Sequence, residues 1–95
     1  MTLITIELSA NGKALIVKTN QAVADPSIDY RQVNILIANI AWMLLEENPS
    51  DGVALLMNTG QKISMNYTSV TSVGANVNIT SNQILLDEVT ALAGL

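Results

Sequence analysis

Ninety-five residues with four Lys and Arg, eight Asp and Glu, no His and no Cys already restrict the chemistry open to this chain. The length suits one α+β domain over residues 1–95 with a single core and no separate catalytic lobe. Without His or Cys, Ser-His-Asp triads, Cys-His pairs, thiol redox sites, disulfide frameworks and zinc fingers are excluded.

Charged residues make up 13% of the chain and hydrophobic ones 49%, where an ordinary soluble domain carries about 25% charged residues. The core is therefore ordinary and the surface is not: Asn, Gln, Ser and Thr must cover it, or another chain must. The net charge is −4, and the cations are Lys13, Lys18, Arg31 and Lys62. Four scattered cations cannot form the basic stripe that phosphates require, which argues against a nucleic-acid partner. An anionic membrane surface is disfavoured on the same ground. The greasiest run, 35–45, is interrupted by Asn39 and falls well short of the roughly 20 apolar residues of a spanning helix. The N-terminus alternates rather than showing a basic region followed by an apolar block, so it does not read as a signal peptide. These features point to a cytoplasmic protein, or to part of an assembly formed in the cytoplasm.

Residues 2–19 read as a β-hairpin. Asn11-Gly12 suits a two-residue type I′ turn, and that turn sets Ala10 opposite Lys13, Leu8 opposite Leu15 and Ile6 opposite Val17. One face then carries Ile4, Ile6, Leu8, Leu15 and Val17. The other carries Thr5, Glu7, Ile16 and Lys18, with Glu7 and Lys18 within diagonal reach.

Asp25-Pro26-Ser27 is a helix-start signal, and Asn48-Pro49 is a stop. Between them the spacing predicts a long central helix ending near Glu47, with Val33, Leu36, Ile37, Ile40, Met43 and Leu44 facing the sheet. A second apolar stripe, Ile35, Ala38, Trp42 and Leu45, runs along the other side. A helix apolar on nearly every side must be covered on nearly every side. Either the C-terminal helix or a loop covers this stripe, or it is a subunit interface anchored by Trp42, a residue type enriched at binding hot spots.

Residues 53–57 and 62–68 form a second predicted hairpin. A two-residue loop at Thr59-Gly60 would place Ala54, Leu56, Ile63 and Met65 on one face; a three-residue loop would shift that register by one. Residues 76–79 suggest a further short strand. A last helix starts at Thr80 or Ser81, with Gln83 placed for a capping box, and Leu85, Leu86, Val89, Leu92 and Ala93 form its apolar face. The expected fold is α+β in the order β-β-α-β-β-(β)-α: two hairpins in an antiparallel sheet, a long central helix and a C-terminal helix.

Candidate sites are sparse. Glu46, Glu47 and Asp51 would cluster at the end of the central helix, where acidic groups oppose the helix dipole and a divalent cation would offset the repulsion. No ordered ligand spacing supports such a metal site, and solvated carboxylates are the plainer reading. Tyr30, Arg31, Lys62 and Tyr67 are the polar handles available to a small metabolite or nucleotide, although no glycine-rich phosphate loop accompanies them. No nucleophile has a base beside it, so no catalytic residue and no cofactor is assigned. The uncharged stretch 66–82 lacks the Lys and Pro that discourage edge pairing, and either joins a neighbour's sheet or is an ordinary Asn- and Thr-covered surface.

The leading expectation is a small non-enzymatic protein that binds itself as a homo-oligomer, with another protein as a second candidate partner. Its size and composition suit a virus or phage product, either a particle component or an inhibitor of a host protein. The alternative is a small-ligand-binding module with its pocket between subunits.

Overall fold

Ile4-Thr5-Ile6-Glu7-Leu8 alternates apolar and polar residues, Ala14 to Val17 is apolar throughout and is followed by Lys18 and Thr19, and the two stretches pair as predicted. A computed structural model describes residues 3–19, 32–48 and 52–95. In it, β1 (Ile4–Leu8) and β2 (Ala14–Thr19) are antiparallel, with Ile6 opposite Val17 and Leu8 opposite Leu15. Ile4, Ile6, Leu15 and Val17 are buried, and Glu7 reaches diagonally to Lys18 at 3.7 Å. The turn itself differs from expectation. Type I′ needs positive φ at both central residues, yet among the described residues only glycines have positive φ. A four-residue loop, 10–13, takes its place. Gly12 sits at φ 73° and donates its N–H to the Ser9 carbonyl. Asn11 Oδ1 accepts from Lys13 N, and Ser9 Oγ accepts from Ala14 N. Both loops centre on the same peptide, so the strand register survives the change of turn.

The predicted central helix is absent from the described residues. Its described part forms β3 (Gln32–Leu36), a 3-10 turn at Ile37–Asn39, and β4 (Ile40–Leu45). Two physical reasons favour strands. Val33, Ile35, Ile37 and Ile40 are β-branched and lose side-chain freedom in a helix. A helix this apolar would also need cover all round, whereas two strands in two sheets can bury alternate residues of each. Ile35 is buried, Val33, Ile37, Ile40 and Met43 pack against the core, and Leu36 is exposed.

β3 extends the first sheet and β4 opens the second. The four-stranded sheet has the order β3-β2-β1-β7, where β7 is Val70–Val73, and its β1–β7 pair is parallel. The three-stranded antiparallel sheet has the order β4-β5-β6, with β5 at Val53–Met57 and β6 at Lys62–Met65. A second 3-10 turn, Tyr67–Ser69, carries the chain from β6 to β7. Each edge strand of one sheet therefore continues, through a single 3-10 turn, into an edge strand of the other.

The second hairpin takes the three-residue loop: Met57 N donates to the Gln61 carbonyl, and Val53 faces Met65 while Leu55 faces Ile63. Ala54 and Leu56 thus point away from Ile63 and Met65, opposite to the two-residue register. Residues 76–79 contribute one bridge, Val73 to Asn76, rather than a strand. The helix α1 (Asn82–Ala93) starts on Ser81, whose Oγ accepts from Ile84 N. Gln83 Nε2 donates to Asp87 instead of completing a capping box. Leu85 and Val89 are fully buried, with Leu86, Leu92 and Ala93 packed beside them.

One hydrophobic cluster joins both sheets and the helix: Ile6, Leu15 and Val17 from the first sheet, Val53 and Leu55 from the second, and Leu85 and Val89 from α1. No polar or charged residue is buried among the described residues. Mixed sheets with one C-terminal helix make this an α+β fold. No helix among the described residues is long and apolar enough to cross a membrane.

Three substitutions test this packing. Gly52 lies at φ 71°, and a Cβ there would collide with the carbonyl oxygen of Met65; a Cβ on Gly12 would meet nothing. Gly12→Ala is expected to lower stability by about 1 kcal/mol through the left-handed backbone alone. Gly52→Ala should lose more than about 3 kcal/mol, because strain and overlap add. Urea midpoints of the two variants check the order. Leu55→Ala should cost about 2–5 kcal/mol in the same measurement.

Candidate functional site

The surface that stands out is built on β4. Its register against β5 shifts between Ile40 and Trp42, so Ala41 is an extra residue and the strand bulges there. Beyond the bulge, Met43 lies opposite Leu55 and Leu45 opposite Val53, on the core face. Trp42 and Leu44, opposite Leu56 and Ala54, take the outer face. The pairing of Leu56 with Lys62 puts Lys62 on that outer face too. There its Nζ meets Glu46 Oε1 at 3.0 Å.

β4 is an edge strand, and the sequence Ile40-Ala41-Trp42-Met43-Leu44-Leu45 carries no charge. Trp42 is 66% exposed. An open groove of about 330 Å³ lies between this strand and the end of α1, lined by Ile40, Ala41, Trp42, Met43, Thr90 and Leu95. Leu95, also in the lining, is 65% exposed. The one hydroxyl in the lining, Thr90 Oγ1, already donates to the Leu86 carbonyl at 2.7 Å and stands 3.6 Å from Met43 Sδ. The lining side chains are apolar apart from this engaged hydroxyl, so they offer a metabolite few side-chain hydrogen bonds.

The predicted interface stripe is dispersed. Ile35 is only 4% exposed, inside the first sheet. Ala38 sits in the 3-10 turn, its carbonyl accepting from Asn58 Nδ2. Trp42 and Leu45 remain at the surface, but on opposite faces of one strand. The stripe needed a helix, and the strand pair removes the periodicity that aligned these residues. Leu95, Ile40, Ala41 and Thr90 were missed. They meet through tertiary packing between a strand and a helix about 50 residues later, for which a sequence pattern offers no signal.

The polar candidates do not converge. Tyr30, Arg31 and Asp51 lie outside the described residues. Lys62 is held by Glu46 on the outer face, whereas Tyr67 packs against the core and its backbone N–H donates to Asn82 Oδ1 at 2.9 Å. Glu46 and Glu47 follow a strand, so the helix-dipole argument for a cation there lapses. Among the described residues no group of three or more Asp and Glu side chains is placed to hold a metal.

The uncharged stretch 66–82 uses its asparagines internally. Asn66 Oδ1 accepts from Thr68 N and Oγ1, Asn76 Oδ1 from Asn78 N, and Asn82 Oδ1 from Tyr67 N. These side chains replace backbone partners at turns. β7, within the stretch, pairs with β1.

The Glu46–Lys62 pair is open to solvent on its lysine side, with 53% of that side chain exposed. Lys62→Met should therefore lower stability by less than about 1 kcal/mol, and the difference should shrink as salt is added. Denaturant titrations at low and high ionic strength check it.

Compared with known proteins, the chain matches no protein-family model, no curated protein and no solved structure.

Proposed function

We propose that this protein is a small non-enzymatic interaction protein that self-associates, and that the contact is made by the outer part of β4 around Trp42. The observation that carries the reading is the 66% exposure of Trp42 on an uncharged edge strand beside an apolar groove. A tryptophan exposed to this extent forgoes most of its hydrophobic stabilisation. Burying it against a second copy recovers that term, and its indole N–H finds a partner at the same time.

Charge supports self-association over a strongly charged partner. No charged side chain lines the groove, so its side chains select neither an acidic nor a basic surface. Two copies of a chain with net charge −4 repel at long range, and contact through the uncharged strand keeps the carboxylates of Glu46 and Glu47 away from its centre. The low overall charge content fits a chain part of whose surface is covered by protein. The small-ligand alternative gains nothing from the geometry, because Lys62 and Tyr67 face different ways and the groove has a single, engaged hydroxyl.

Light scattering on the purified chain tests the reading. The native protein is expected at a multiple of 10.1 kDa, and Trp42→Ala at a lower multiple or a single chain. Trp42 is largely exposed, so the variant should keep its stability within roughly 0.5 kcal/mol when both are compared at dilution. A native mass of one chain across the accessible concentration range, or an unchanged mass for Trp42→Ala, would overturn it. Ile35 is unsuitable for this purpose: it lies in the core, and Ile35→Asp should unfold the protein by burying an unpaired charge.

A further inference from the structure

The tip of the first hairpin holds Asn11 in an arrangement that favours chemistry on its own side chain. Asn11 Oδ1 accepts two hydrogen bonds, one from Ser9 Oγ at 2.7 Å and one from the backbone N–H of Lys13 at 3.0 Å. The bond to Lys13 folds the side-chain amide forward over the peptide that joins Asn11 to Gly12. The next residue is glycine, with no side chain to obstruct approach and nothing within 4 Å of where a Cβ would stand. All three residues of the tip, Asn11, Gly12 and Lys13, are exposed to water.

We infer that Asn11-Gly12 is a site of spontaneous, structure-assisted deamidation. The Gly12 nitrogen loses its proton to solvent base and attacks Asn11 Cγ. A C–N bond forms, negative charge gathers on Oδ1, and the amino group takes a proton from solvent; the C–N bond to it then breaks as the carbonyl re-forms, releasing ammonia and leaving a five-membered succinimide. Water opens that ring at either carbonyl, giving aspartate or isoaspartate at position 11. No oxidant, metal or second protein is needed.

Two donors already stand where the negative charge develops, as in an oxyanion hole, although in water their effect is much smaller than in a closed site. One contact acts against the reaction: the Gly12 N–H donates to the Ser9 carbonyl at 2.9 Å and must leave that bond to be deprotonated. Ser9 therefore acts in both directions, its hydroxyl assisting and its carbonyl restraining. That restraint lies in a turn open to water, where a hydrogen bond is readily exchanged.

The two products are unequal in this fold. An aspartate at 11 keeps both acceptor contacts and strengthens them, because its oxygens are ionised. An isoaspartate carries an extra backbone carbon between positions 11 and 12 and disrupts the four-residue loop. Either product takes the chain from net charge −4 to a more acidic state.

The test follows the native chain, Ser9→Ala and the native chain held unfolded in urea, incubated side by side at mildly alkaline pH. Peptide mass spectrometry reads acid at position 11, and enzymatic isoaspartate methylation reads the isomer. Circular dichroism confirms that Ser9→Ala is folded. Expected are conversion in the folded native chain no slower than in urea, slowing of about fivefold in Ser9→Ala, the worth of one ordinary hydrogen bond, and a higher aspartate share in the folded chain. Faster conversion in urea than in the fold would overturn the inference. So would a Ser9→Ala rate equal to or above the native one. If Ser9→Ala fails to fold, the comparison with urea decides alone.

Discussion

The fold depends on the three residues Ile37–Asn39, where one continuous stretch of chain leaves the first sheet and enters the second. Their single 3-10 turn is held from both sides. Ile37 N donates to the Lys13 carbonyl beside the first hairpin loop. The Asn39 and Ala38 carbonyls accept from the backbone and side chain of Asn58 in the second hairpin loop. The backbone groups that a change of direction would leave unpaired are thus met by the two loops nearest to it. The corner fixes how the sheets face each other, and so which residues of β3 and β4 are inside.

A matching turn at Tyr67–Ser69 carries the chain back from β6 to β7, so the two sheets are joined at both edges. The helix α1 completes the enclosure by setting Leu85 and Val89 into the space between the sheets. Where its last turn meets β4 the cover is incomplete, and the groove beside Trp42 is what remains. The exposed side chain of Trp42 and this partly filled junction therefore coincide, which gives the proposed contact a physical setting.

Local chemistry was legible in the sequence, and long-range choice was not. The Glu7–Lys18 diagonal, the pairing of Ile6 with Val17 and the Ser81 start of α1 follow from alternation, turn residues and capping, all of which act over a few residues. The first hairpin kept its register although its turn was misread, because two-residue and four-residue loops centred on one peptide are interchangeable in parity. The second lost its register because two- and three-residue loops are not. The stretch 32–45 was misread for a different reason: its apolar residues satisfy a helical period as well as two short alternations broken by a corner. Only the cover available from the rest of the chain decides between them. Of the residues proposed as an interface, Trp42 kept a surface role, since its size and chemistry mark it in either structure. Leu95 and Thr90 reach it only through the packing of α1.

The parallel pairing of β1 with β7 has a consequence for how the molecule is made. Thr71 Oγ1 donates to the Ile4 carbonyl across 67 residues of sequence, and Gly74 N to the Ile6 carbonyl. The strand that forms first is thus completed almost last. During synthesis β1 can pair with β2 as soon as the hairpin emerges, yet its other side stays unmatched until three-quarters of the chain has been added. Such non-local closure slows folding, since the entropy of a long loop must be lost before its contacts form. The nascent protein therefore passes through a period in which a hairpin of isoleucine, leucine and valine waits beside an unfinished sheet. In that interval, more than in the finished fold, a neighbouring chain could supply the missing strand.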